Sequence, residues 1–135
     1  IISAQATLID YSQAEFSDGF TETSRMTKNS VIKSDLVDVI NYNIGAEYNF
    51  VPLNLRVRAG YMQMPSPYKS DSDASFNKKF YTFGLGYLLE QAVAIDAAYV
   101  YGTWNDIGYA YTTDNIGYSQ KIKYNNFILT VSYRF

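Results

Sequence analysis

From Phe127 to Phe135 the side chains change sides at every residue. Phe127, Leu129, Val131, Tyr133 and Phe135 fall on one face, and Ile128, Thr130, Ser132 and Arg134 on the other. A period of two is the signature of a strand. With the apolar set aromatic-rich, an aromatic at 133 and Phe as the last residue, the segment reads as the closing strand of an outer-membrane β-barrel. In such a barrel apolar residues face lipid and polar residues face the lumen. A soluble, half-buried strand alternates as well. The aromatic pair Tyr133 and Phe135, read as an assembly signal, is what separates the two.

Composition points the same way. The 135 residues include 14 Tyr, 8 Phe, 1 Trp and 8 Gly, the residue types of interfacial aromatic girdles and tightly packed barrel walls. No uncharged apolar run approaches the roughly 18–20 residues of a spanning helix, so any crossing of a membrane is by strands. Cys is absent, which removes disulfides and thiolate metal sites. His is absent too, and with it the commonest general base and metal ligand. The net charge of −2 gives no basic surface for nucleic acid. No cofactor and no metal site are expected. The chain starts in strand-like sequence at Ile1 with no signal segment, so a processed end or a longer parent chain is expected.

The alternation repeats along the chain and predicts six strands, with no α-helix. The first runs from Ile1 to about Glu15, and the polar stretch 17–35 follows as a long loop. The second covers about Val37 to Phe50, with Ile40, Tyr42, Ile44, Ala46, Tyr48 and Phe50 opposite Asn41, Asn43, Gly45, Glu47 and Asn49. After a short turn at Val51-Pro52, the third covers Leu53 to Met64 and is stopped by Pro65-Ser66-Pro67. The fourth spans about Lys79 to Leu89, and Glu90-Gln91 makes a tight turn. The fifth runs from Val93 to about Trp104, the loop 105–119 follows, and the sixth covers about Gln120 to Phe135. Connections thus alternate long, short, long, short, long. This is the pattern of barrels with short periplasmic turns and longer outer loops, and it puts the C-terminus on the periplasmic side.

Six strands are too few to close a barrel, since about eight already leave room only for side chains. An open edge in lipid would leave unpaired backbone groups. The fold class expected is therefore an antiparallel transmembrane β-barrel in the bacterial outer membrane. This chain supplies about six C-terminal strands as a single domain, and the remaining strands come from a longer chain or another chain.

Several segments together resemble a known family. They are Leu55-Arg56-Val57-Arg58-Ala59-Gly60-Tyr61 followed by Ser66-Pro67, then Phe80 to Tyr87, then Val93-Ala94-Ile95-Asp96-Ala97-Ala98-Tyr99, and the closing Phe127 to Phe135. Asp10-Tyr11-Ser12 fits as well. In this order they resemble the C-terminal portion of the outer-membrane long-chain fatty acid and aromatic-hydrocarbon transporters (FadL/TodX type). The resemblance implies a barrel of about 14 strands. It also implies an N-terminal hatch, capture of a hydrophobic small molecule by outer loops, and release through the wall. The Tyr- and Asn-rich style suits a Bacteroidetes-like branch, in which related barrels also serve protein secretion.

Glu47, Arg56, Arg58, Asp96 and Arg134 all fall on the expected lumen face. One reading is that an arginine, Arg58 before Arg56, holds the carboxylate of a fatty acid. The other is a charge network that fixes strand register, with a Glu47–Arg56 cross-strand pair and with Asp96 and Arg134 near each other at the periplasmic end. Trp104 and Phe20 are candidates for an apolar capture site at the outer surface. Gly60, Gly84, Gly86 and Gly102 mark either close ligand approach or relief of crowding in the wall. Asp71, Asp73 and Asp114 are either divalent-ion ligands or solvated loop charge, and their spacing is not that of an EF-hand. No catalytic spacing is recognisable, so an enzyme is not expected.

Two functions are expected to compete. The first is uptake of hydrophobic molecules by binding and lateral release. The second is a scaffold barrel in a secretion or surface-protein assembly. A general diffusion porin fits less well, because the few lumen charges do not form opposed rows. The partners implied are outer-membrane lipid and lipopolysaccharide, a hydrophobic ligand, and the strands that complete the barrel.

Overall fold

The structure, a computed structural model, describes residues 1–109 and 117–133. Asp114, Arg134 and Phe135, singled out above, lie outside the described residues. Six strands form one antiparallel meander: β1 (Ile2–Asp10), β2 (Asp38–Phe50), β3 (Leu55–Met64), β4 (Lys78–Leu89), β5 (Val93–Tyr109) and β6 (Gly117–Tyr133). Each strand pairs only with its neighbours in the chain. Among the described residues β1 and β6 do not meet, so the sheet is open.

Three expectations are corrected. The stretch 17–35 contains a helix, α1 (Glu22–Asp35). It is mostly polar, with Met26 and Val31 exposed and no residue buried, so no apolar stripe marks it in the sequence. It is held by polar contacts to the segment before it. The Asn29 amide accepts from the Phe16 N–H at 2.8 Å and donates to the Phe16 carbonyl at 3.2 Å, and Arg25 donates to the Ser17 carbonyl at 3.0 Å. The first strand ends at Asp10, not near Glu15. The Asp10 carboxylate accepts from the Ser12 N–H and hydroxyl and from the Gln13 side chain, which turns the chain into a single 3-10 turn. The third correction is the loop 105–119. β5 and β6 stay paired up to Tyr109↔Gly117, although Asn105, Asp106 and Gly108 are turn-prone residues. Cross-strand pairing along a long ladder overrides their local preference.

The two short turns are tight. Val51–Leu53 makes a 3-10 turn ended by Asn54 at φ 50°, a left-handed conformation that Asn tolerates. Glu90 and Gln91 both have positive φ, 47° and 60°, inside a turn closed by the Ala92 N–H on the Leu89 carbonyl. Two successive positive φ values match the twist of a hairpin.

At the other end the long connections are tied together. The Val37 N–H donates to the Pro67 carbonyl and the Lys69 N–H to the Asp35 carbonyl, both at 2.9 Å. The Asn105 N–H donates to the Ser75 carbonyl at 2.8 Å. The segment after Pro65 thus bridges the base of α1 to β5.

The sheet has almost no core. Among the described residues Val39, 7% exposed, is the single buried hydrophobic one. On β4 the apolar residues Tyr81, Phe83, Leu85 and Tyr87 are exposed, while Thr82, Gly84 and Gly86 between them are half-buried or buried. β2 alternates likewise, with Ile44, Ala46 and Tyr48 exposed and Gly45 and Glu47 sheltered. A water-soluble sheet shelters its apolar face. Here the apolar band of β2 and β4 is the exposed one.

Candidate functional site

Residues directly opposite in an antiparallel pair share a face, so the register places every side chain. The exposed face carries an apolar band: Ile44, Ala46, Tyr48 and Phe50 on β2, Leu55, Val57 and Ala59 on β3, and Phe83, Leu85 and Tyr87 on β4. It continues as Ile95, Ala97 and Tyr99 on β5 and Phe127, Leu129, Val131 and Tyr133 on β6. Four tyrosines on adjacent strands close its upper edge. Ring centroids are 6.2 Å apart for Tyr42–Tyr61, 5.2 Å for Tyr61–Tyr81 and 6.4 Å for Tyr81–Tyr101. Tyr48 and Phe50, edge to face at 4.4 Å, lie toward the lower edge with Tyr87. From Tyr81 to Leu89 a strand rises about 26 Å, or about 20 Å when tilted as barrel strands are.

The sheltered face has two halves. The lower half holds the charges. Glu47 stands directly opposite Arg58, and the Arg58 Nε donates to Glu47 Oε2 at 2.7 Å. Arg58 Nη1 donates to Asp96 Oδ1 on β5 at 3.0 Å, across the intervening β4. Arg56 Nε lies 3.7 Å from Glu47 Oε1, a looser diagonal contact. The expected Glu47–Arg56 pair is therefore the secondary one. Asp96 faces Thr130 in register and turns toward Arg58.

The glycines of β4 make that cross-strand reach possible. A Cβ at Gly84 would stand 3.4 Å from the Arg58 Cβ, and a Cβ at Gly86 would stand 2.6 Å from Asp96 Oδ1. Two arginines and two carboxylates share this patch, with formal charges that cancel. Arg58 is shared between two carboxylates and half-exposed; Arg56 keeps more of its guanidinium in solvent.

The upper half is mainly apolar, with Ser3, Asn43 and Thr82 among the residues that line it. A depression of about 530 Å³ is lined by Gly60, Met62, Phe80, Thr82 and Val100, with Glu47 and Arg58 at its lower end. Met62, Phe80 and Val100 are not among the expected site residues. Their signal was the same period of two, read on the face assumed to be polar. Trp104 stands above them, its ring 5.9 Å from Phe80, with Lys78 Nζ 5.5 Å from its centroid. A smaller hollow of about 300 Å³ beside it is lined by Met64, Pro65, Pro67, Phe76 and Asp71. Phe20 is engaged elsewhere, edge to face with Phe16 at 5.1 Å and beneath Lys28 Nζ at 5.0 Å. Trp104 and Phe20 thus belong to different clusters. Asp71 accepts from the Ser66 hydroxyl, and Asp73 accepts from the Ser75 N–H at 2.6 Å. Among the described residues no group of three or more acidic side chains is placed to hold a metal ion. Tyr133 is the last described residue of β6, opposite Val93 on the apolar face.

No family model matches the chain, and comparison with curated proteins and with solved structures returns no significant match.

Proposed function

We propose that the chain is part of the wall of an outer-membrane β-barrel that takes up hydrophobic small molecules such as long-chain fatty acids. In this reading the exposed apolar band faces lipid and the sheltered face lines the lumen. Further strands from a longer chain or another chain pair with β1 and β6, whose free edges could not stand in hydrocarbon. The resemblance to the fatty acid and hydrocarbon transporters supports the same reading.

The observation that carries the ligand class is the divided lumen face. Met62, Phe80 and Val100 form an apolar wall that runs down to Arg58, and Arg56 follows two residues lower on β3. An acyl chain suits the upper half. A carboxylate suits the arginines below, which present planar, bidentate donors. Arg56, the less engaged of the two, is the first contact, and Arg58 supports it. Release sideways into the membrane follows from the resemblance alone.

The test is uptake of a labelled long-chain fatty acid by cells expressing the whole protein, against cells lacking it. Arg56→Gln should weaken uptake while leaving the barrel in the membrane. A protein that sits in the outer membrane, moves no fatty acid and yields none on extraction would overturn the transport reading. The scaffold reading would then stand. It has one observation in its favour: Glu47 and Asp96 already satisfy Arg58, as expected of a wall whose interior is fixed rather than open to ligand.

A further inference from the structure

One tier of the exposed face is unlike the rest. Just beyond the tyrosines, Lys79 on β4 pairs in register with Thr103 on β5, and Thr103 pairs with Lys123 on β6. Lys121 lies two residues before Lys123 on β6, opposite Asn105. All three lysines share the face of the apolar band. Lys79 and Lys123 are two strand spacings apart, about 10 Å. Among the described residues none of them forms an ion pair. The described acids of this face, Asp10 and Asp38, sit on the far strands β1 and β2. Asp106 points to the other face. Asp73 feels the charge of Lys79, but its carboxylate is bound to the Ser75 N–H. The chain carries a net charge of −2, so a cluster of three cations here is local and not a reflection of general basicity.

We propose that Lys79, Lys121 and Lys123 bind the phosphorylated headgroup of an outer-leaflet lipid. This rests on the membrane reading above and names one lipid partner of the wall. Charge complementarity selects an anion. Its attachment to a lipid follows from what lies directly below. Lys123 leads down β6 to Asn125 and Phe127, and Phe127 rims a depression of about 850 Å³ on the apolar face. Ala97, Ala59 and Ala46 give it a low floor, and Phe83 and Tyr99 stand beside it. An acyl chain lies in that depression while its phosphate meets the lysines, with Tyr81 and Tyr101 at the level between.

The whole barrel is reconstituted into phosphatidylcholine vesicles containing either bis-phosphorylated lipid A or its dephosphorylated form. Lipid retained per protein after gentle extraction is measured by mass spectrometry. The wild type should retain the phosphorylated form preferentially. The triple variant Lys79→Gln, Lys121→Gln, Lys123→Gln should lose at least about tenfold of that preference, since each cation near an anionic surface contributes substantially. Replacing the same three by Arg should restore it, and removing Lys28, Lys33 and Lys69 instead should change nothing. Equal retention of the two lipids by the wild type, or unchanged preference in the triple variant, overturns the site while leaving a correctly inserted barrel. Full displacement of the lipid by millimolar inorganic phosphate would show an anion site without a lipid and overturns it as well. Should the Gln triple fail to insert, Lys123→Gln alone and the comparison of the two lipids decide. Failure of the wild type to insert into either vesicle is a failure of the membrane reading itself.

Discussion

Arg58 on β3 donates to Asp96 on β5 at 3.0 Å, and the strand between them makes way for the pair with two glycines, Gly84 and Gly86. A β-sheet normally allows ion pairs only between adjacent strands, because the intervening row of side chains blocks longer reach. The missing side chains of β4 let one guanidinium join carboxylates from β2 and β5.

Gly86→Ala should therefore disturb the pair more than Gly84→Ala. The added Cβ at 86 would stand 2.6 Å from Asp96 Oδ1, whereas at 84 the nearest contact, 3.4 Å to the Arg58 Cβ, is ordinary. Gly86→Ala should cost about 1–3 kcal/mol, the usual range for overpacking. Gly84→Ala should cost less than about 1 kcal/mol. Urea unfolding of the protein in lipid, followed by tryptophan fluorescence, measures both. A larger loss at 84 would mean that the guanidinium takes another route.

Leu129→Arg separates a lipid-facing band from an aqueous one. Leu129 is 61% exposed, so in water the change should be nearly neutral. Against hydrocarbon near midplane it should cost about 2–4 kcal/mol. Thr130→Arg, one residue on and facing the other way, serves as the control and should be mild. Equal costs in reversible folding into phospholipid vesicles would remove the sidedness assigned to β6.

The hairpin between β4 and β5 should be improvable. Glu90 and Gln91 both hold left-handed φ with side chains that disfavour it. Gln91→Gly should stabilise by about 0.5–1 kcal/mol, the relief of backbone strain less the added freedom of the unfolded chain. A lower unfolding midpoint in the variant would contradict the turn geometry.

Asp73 should make the connection between β3 and β4 sensitive to acid. The Ser75 N–H at its carboxylate holds that carboxyl below the ordinary value. A carboxyl lowered in the folded state contributes fully above the unfolded pKa, and its contribution fades as pH falls through the lowered value. Amide exchange at Ser75, Phe76 and Asn105 should thus quicken between about pH 5 and pH 2 beyond the general trend. Asp73→Asn should abolish the extra change. Slower exchange on acidification would place the ordering elsewhere.

Alternation in the sequence predicts the strands well where a strand is sided, as in β2 and β4, whose bounds fall within a residue of those expected. It predicts faces but not register. Arg56 and Arg58 lie on one face, so periodicity could not choose between them as the partner of Glu47. The 3-10 turn at Val51–Leu53 makes that choice by setting Phe50 opposite Leu55. Helix α1 is not legible because its contacts are polar side-chain hydrogen bonds and a Lys28–Phe20 contact, for which the hydrophobic pattern has no symbol. The extension of β5 and β6 was hidden by residues that favour turns in isolation and yield to a partner strand. The apolar upper half of the sheltered face was legible at Met62, Phe80 and Val100. The expectation of a polar lumen face leaves these three residues out of the site.

Among the described residues each strand pairs its backbone only with its neighbours in the chain, whereas the long connections are stitched across several strands, from Asp35 through Lys69 and Ser75 to Asn105. The two ends of the sheet therefore answer to different clocks. The ladder can be laid down hairpin by hairpin from local contacts, which form early and fast. The stitching among the long connections must wait until β5 has arrived, and works as a drawstring pulled last.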